Sequence, residues 1–146
     1  ESLARRFGAT HFINPQLQSG DIVEQLRALA HGGVDYSFEC VGSTKLMAQA
    51  LECTHAGWGV CTALGVPPDG EKLAIAPFEL QLGRTLKGSF LGNVKTRSQL
   101  PQLLDLYAEG QLNLKDLVTH RLPVERINEG FDLLREGRSV RTVVTF

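Results

Sequence analysis

The 146-residue chain is poor in the features that define several protein classes. Three cysteines are too few for a disulfide framework, so a reducing, cytoplasmic setting is expected. Lys and Arg total 15 against 16 Asp and Glu, a net charge of −1. With no excess of positive charge to neutralise phosphates, nucleic acid is not an expected partner. No apolar run approaches the roughly 18 residues of a spanning helix. The opening ESLARRFGAT has no apolar core of a signal peptide, so no membrane association is expected. There is no G-x-S-x-G, and His11, His31, His55 and His120 have no neighbouring nucleophile and acid in a triad-like pattern. Cys40, Cys53 and Cys61 form no C-x-x-C, and Cys40 and Cys61 read as small core residues. Neither a metal site nor a catalytic residue is assigned within the chain.

What is present is an ordinary globular composition, 42% apolar and 21% charged. Residue 1 is Glu, and Leu3, Ala4 and Phe7 follow helical spacing up to Gly8 with no N-cap before them. That pattern reads as the end of a helix begun earlier, so a fragment is expected, with a processed or nicked product as the rival. Thr10–Asn14 reads as a short strand stopped by Pro15. Ser19 or Asp21 caps a helix over Ile22–Ala30, Val34–Val41 is a strand, and Ser43 or Thr44 caps the next helix. Gly59–Val66, small and apolar throughout, reads as a central parallel strand. This alternation is the pattern of an α/β fold with a parallel sheet.

Beyond the Pro67–Gly70 turn the pattern changes. Lys72–Ala76 alternates like an exposed or interface strand, and Pro77–Gly83 is short helix or loop. Thr85–Leu91 is a strand, Leu100–Tyr107 a helix with Pro101 near its start, Glu125–Glu136 an amphipathic helix, and Val140–Phe146 a final strand. Gly57-Trp58-Gly59 imitates half of a G-x-G-x-x-G, but it follows a helix and opens a strand, so these are turn glycines. Cys40-Val41-Gly42 and Leu64-Gly65-Val66 end two strands in small residues. At the carboxyl edge of an α/β sheet such ends either border a ligand or simply turn the chain. Arg141, in an apolar strand, needs an anionic partner, either a phosphate or a structural carboxylate.

Four blocks, GGVDYSFECVG, GWGVCTALGVPP, GRTLKGSFLG and THRLPVERINEGFDLLREGRSVRTVVTF, resemble the carboxyl-terminal part of the zinc-dependent, medium-chain alcohol dehydrogenases. The best match is the branch of liver-type and glutathione-dependent formaldehyde dehydrogenases. The resemblance implies a doubly wound, Rossmann-type parallel sheet lacking its first two strands. Residues 1–91 would belong to the NAD-binding domain and 92–146 to a segment returning to the catalytic domain. It implies that Cys40 and Val41 line the adenine-ribose side of the NAD cleft. Leu64, Ser89 and Leu91 would hold the nicotinamide carboxamide through backbone groups, with Gly65 and Val66 near its ring and ribose. Val66 and Phe90 would border the substrate pocket, and Arg141 would bind the pyrophosphate.

The same resemblance implies a homodimer through residues 72–91, with Gln81 and Leu82 reaching toward the partner's substrate pocket. The family often has an apolar residue where Gln81 stands. The whole protein would transfer hydride between a primary or secondary alcohol, or its aldehyde, and NAD, using zinc whose ligands lie outside this chain. The chain alone is expected to be inactive and to need its missing amino-terminal half, because the family's strand order 3-2-1-4-5-6 leaves the Val34–Val41 strand with a bare edge. Two other readings stand beside this one: a non-enzymatic dimerisation or nucleotide-binding module, and part of a zinc-free reductase of the same superfamily.

Overall fold

Asp21 starts the helix that follows it by accepting hydrogen bonds from the Val23 (2.7 Å) and Glu24 (3.4 Å) amides. This satisfies donors that a helix start otherwise leaves orphaned. In the computed structural model, which describes residues 1–17 and 19–146, the chain forms two compact units, Glu1–Asn93 and Val94–Phe146.

The first unit contains α1 (Ser2–Arg6), α2 (Ile22–Leu29), β1 (Tyr36–Glu39), α3 (Thr44–Glu52), β2 (Val60–Ala63), α4 (Pro77–Gln81) and β3 (Thr85–Gly88). The three strands form one parallel sheet in the order β1-β2-β3. Tyr36 pairs with Val60, and Val60 with Thr85. Two consecutive parallel pairings need crossovers, which α3 and the 64–84 connection supply. Helix α3 packs on β1 and β2. Ser43 caps it through a hydrogen bond from the Leu46 amide, and Met47 and Leu51 face the core. The core joins these residues to Val23, Cys53 and Cys61, with Leu51 and Cys61 fully enclosed. Ser37 on β1 donates its hydroxyl to the Ala50 carbonyl on α3 (2.6 Å), pinning helix to strand.

The sheet has an open side. Among the described residues strand β1 pairs only with β2, and Tyr36 and Phe38 are 68% and 64% exposed. Two expected strands do not form. Thr10–Asn14 and Lys72–Ala76 have no ladder partner among the described residues, and without ladder hydrogen bonds apolar patterning alone does not make a strand. The expected strand Thr85–Leu91 stops at Gly88. It gives way to a turn of 3₁₀ type at Phe90–Asn93, where Leu91 (φ 49°) and Asn93 (φ 54°) are left-handed.

The second unit contains α5 (Thr96–Ala108), β4 (His120–Pro123), α6 (Ile127–Arg135) and β5 (Thr142–Thr145). Strands β4 and β5 pair in parallel, His120 against Thr142. Helix α6 covers them through Leu133 and Gly130, where a Cβ would come within 3.3 Å of Thr142 Cγ2. Strand β4 was not expected from sequence. Helix α5 begins earlier than its apolar spacing suggests, so Pro101 lies inside it rather than near its start. None of its residues is buried within the unit. No helix among the described residues is long and apolar enough to cross a membrane.

Candidate functional site

Parallel strands all end at one edge, and in open α/β sheets that edge carries the ligand crevice. Here it gathers the ends of β1 (Cys40, Val41, Gly42), β2 (Leu64, Gly65, Val66) and β3 (Ser89, Phe90, Leu91). These are eight of the candidate residues plus Gly42. Arg141, the remaining candidate, precedes β5 in the second unit.

The β1 and β2 ends are pressed together. The Leu64 and Gly65 amides both donate to the Glu39 carbonyl (2.8 and 3.0 Å), and the Ser89 amide donates to the Ala63 carbonyl (3.0 Å). The N–H groups of Leu64 and Ser89 are therefore committed to the sheet. A ligand amide would meet Leu64 at its carbonyl oxygen, as a donor. Around this seam apolar side chains stand open to solvent: Val41 is 74% exposed, Val66 80% and Phe90 80%. Exposed apolar groups beside free backbone acceptors suit a flat, partly polar heterocycle, with its ring on the former and its amide on the latter.

One residue at this edge went unrecognised in sequence. Glu39 is only 4% exposed. Its Oε1 accepts three successive amides, from Val41 (2.9 Å), Gly42 (2.8 Å) and Ser43 (3.3 Å). Its Oε2 is buried and has no hydrogen-bond partner among the described residues. The available signal was a second acid, after Asp35, inside the largely apolar run VDYSFECVG, four residues before a helix cap.

The three thiols differ. Cys40 is exposed at the edge, whereas Cys53 and Cys61 are buried. Burial pushes the Cys53 thiol above its ordinary value, and the neighbouring Cys61 adds to the rise. Burial also raises Cys61, opposed by a hydrogen bond with Ser37. No group of three or more His, Cys, Asp or Glu among the described residues could hold a metal, so the residues present do not form a zinc site.

In the second unit Arg141 is exposed, and among the described residues its guanidinium has no acidic partner at ion-pair distance. It borders a groove of about 260 Å³ together with Phe131, Leu134, Thr142 and Val144. Its carbonyl accepts the Thr119 and His120 amides, which fixes the backbone while leaving the side chain uncommitted.

Residues 1–109 match the zinc-binding dehydrogenase family. The chain is 48% identical over 141 residues to alcohol dehydrogenase class-3 of Dictyostelium discoideum, covering 94% of this chain and 37% of that protein. It is 41% identical over 150 residues to S-(hydroxymethyl)glutathione dehydrogenase of Paracoccus denitrificans, covering 99% and 40%. The crystal structure of benzyl alcohol dehydrogenase from Acinetobacter calcoaceticus superposes with a TM-score of 0.88 at 27% identity, over 98% of this chain and 39% of that one. The chain thus spans about two fifths of the length of these relatives. With the match running across β1, β2 and β3, the chain belongs to the zinc-binding dehydrogenase family.

Proposed function

We propose that this chain is the cofactor-side portion of an NAD-dependent alcohol dehydrogenase, which exchanges hydride between a primary or secondary alcohol and a nicotinamide. Residues 1–91 would form the carboxyl part of the NAD-binding domain and residues 92–146 the returning part of the catalytic domain. The observation that carries the reading is the seam at Gly42 and Gly65. There two strand ends approach so closely that no side chain fits, leaving a backbone floor with Val41 and Val66 exposed on it.

Bound NAD would supply the hydride acceptor. This chain's own residues bind and orient. Cys40 and Val41 face the adenosine side, and the Leu64 carbonyl with Ser89 and Leu91 takes the carboxamide. Gly65 lets the ribose approach the backbone. Val66 and Phe90 exclude water from the transfer site and border the alcohol. Arg141 pairs with the pyrophosphate, which its uncommitted, always-charged fork suits. The family's zinc would take its ligands from outside this chain, and turnover would require those segments. The free edge of β1 is where preceding strands of the whole protein would add. The cytoplasm, where thiols stay reduced, is the fitting compartment.

The segment 72–91 would join two copies. Its support is that 72–76 has no ladder partner among the described residues and that Phe78 (61%) and Leu91 (71%) are exposed.

Alkylation of Cys40 tests the site. In the full-length protein, NAD should slow its reaction with iodoacetamide, with peptide mapping to identify the thiol. Cys40 labelling that NAD does not change, at concentrations saturating for turnover, would remove the cofactor from this edge.

A further inference from the structure

Three successive backbone N–H groups in a turn that opens a helix form a concavity that binds anions. The turn from β1 into α3 is such a concavity, made by the amides of Val41, Gly42 and Ser43. It is already filled. The anion in it is the chain's own Glu39 carboxylate, buried at 4% exposure. Through its carbonyl the same residue receives the Leu64 and Gly65 amides from the end of β2. Glu39 is thereby tied by its side chain to one flank of the seam and by its main chain to the other. Its second oxygen sits directly beneath Gly65: a Cβ there would lie 2.7 Å from Oε2.

We propose that Glu39 is a positioning residue of the cofactor site. It is an internal anion that closes the β1–α3 turn to phosphate and sets the spacing between the Cys40–Val41 flank and the Leu64–Val66 flank. This rests on the reading of the edge as an NAD site. Two consequences follow from the geometry. A ligand that touches only the first flank depends little on Glu39, whereas one that spans both depends on it strongly. The phosphates of a spanning ligand must also find their cation elsewhere, because the α3 amides are taken.

The test uses the full-length protein and calorimetric binding of two probes, NAD, which spans the seam, and AMP, which does not. In Glu39→Ala the affinity for NAD should fall by about tenfold or more, the scale of hydrogen bonds to a charged group. The affinity for AMP should fall by less than about threefold. Sodium formate, a carboxylate small enough to occupy the vacated space, should restore NAD binding to Glu39→Ala, while sodium chloride at equal ionic strength should not. Glu39→Gln keeps an acceptor oxygen for the three amides and should stay within about threefold of the wild type. If Glu39→Ala does not fold, Glu39→Asp carries the same comparison, since its shorter arm cannot reach the turn.

Equal losses for NAD and AMP with no response to formate would mean that Glu39 merely stabilises the fold, and the proposal would be overturned. So would NAD binding that is unchanged in Glu39→Ala. A wild-type protein that binds neither probe overturns the cofactor-site reading itself, and this inference with it.

Discussion

Gly42 and Gly65 meet backbone to backbone beneath the candidate cleft. A Cβ placed on Gly65 would lie 2.6 Å from the Gly42 Cα, and one placed on Gly42 would lie 2.6 Å from the Val66 carbonyl carbon. Neither distance is available to real atoms, so the closeness of the two strand ends depends on both residues being glycine. Gly42 is also left-handed (φ 88°), which a side chain would resist independently. The pair explains how two strands can offer a ligand a surface of bare backbone rather than of side chains.

Gly65→Ala should therefore destabilise the fold by about 1–3 kcal/mol, the usual range for forcing a methyl into a packed site. The opposing atoms are mostly backbone and cannot swing away. Gly88→Ala is the control: it lies on β3 with nothing within 4 Å of its Cβ position. That variant should stay within about 0.5 kcal/mol of the wild type. Urea denaturation of the two variants reads the difference, and equal stability would show that the seam relaxes without strain.

Arg84 organises the other end of the same sheet. It is 8% exposed, donates its Nε to the Thr54 carbonyl (2.9 Å), and places Nη1 2.7 Å from Glu79 Oε2. Those two atoms make no well-directed hydrogen bond, so the attraction between them is chiefly coulombic. Arg84→Met would leave the Glu79 carboxylate largely enclosed without its cation. The expected loss is about 3–5 kcal/mol. Adding Glu79→Gln removes the stranded charge and should recover part of it, giving a non-additive double-mutant cycle. Additive losses by denaturant titration would show that the pair does not act as a unit.

The contrast between these residues shows what a sequence discloses. Alternating strands and helices were legible because glycines and caps punctuate them: Asp21 and Ser43 cap where their side chains suggest, and β1 and β2 lie within the expected runs. Local pattern failed where an element depends on a remote partner. Thr10–Asn14 has strand composition but no ladder partner among the described residues, whereas His120–Pro123 has mixed composition yet pairs with β5. The strand ends of the candidate site were legible as small residues at a carboxyl edge. The place of Glu39 was not, because a Glu in a strand usually faces water, and only the folded turn shows the three amides around it.

The buried thiols give a pH dependence with a definite sign. Cys53 and Cys61 are both raised above the ordinary value of 9.0, with burial the leading cause for each. Unfolded, each loses its proton near that value; folded, each retains it to higher pH. Above about pH 9 the native state therefore binds more protons than the unfolded state, and stability falls as pH rises. Their contribution is fully present below that value. Denaturation midpoints between pH 7 and pH 10.5 should decline at the alkaline end, and less steeply in Cys61→Ala once the common loss of packing is subtracted. A flat alkaline limb in the wild type would exclude the thiols as its source.

Arg141 separates binding from folding. Its side chain is exposed and has no acidic partner among the described residues, so Arg141→Ala should change stability by less than about 0.5 kcal/mol. If the guanidinium holds the pyrophosphate, the same change in the full-length protein should weaken NAD by about ten- to a hundredfold, the scale of a charge-assisted hydrogen bond. Arg141→Lys keeps the charge but loses the fork, and should fall between the two. The wild-type advantage should also shrink as salt is raised, because an exposed ion pair is screened. Calorimetry of the three proteins at low and high ionic strength reads both effects. Equal NAD affinity in wild type and Arg141→Ala would assign the phosphates to another cation.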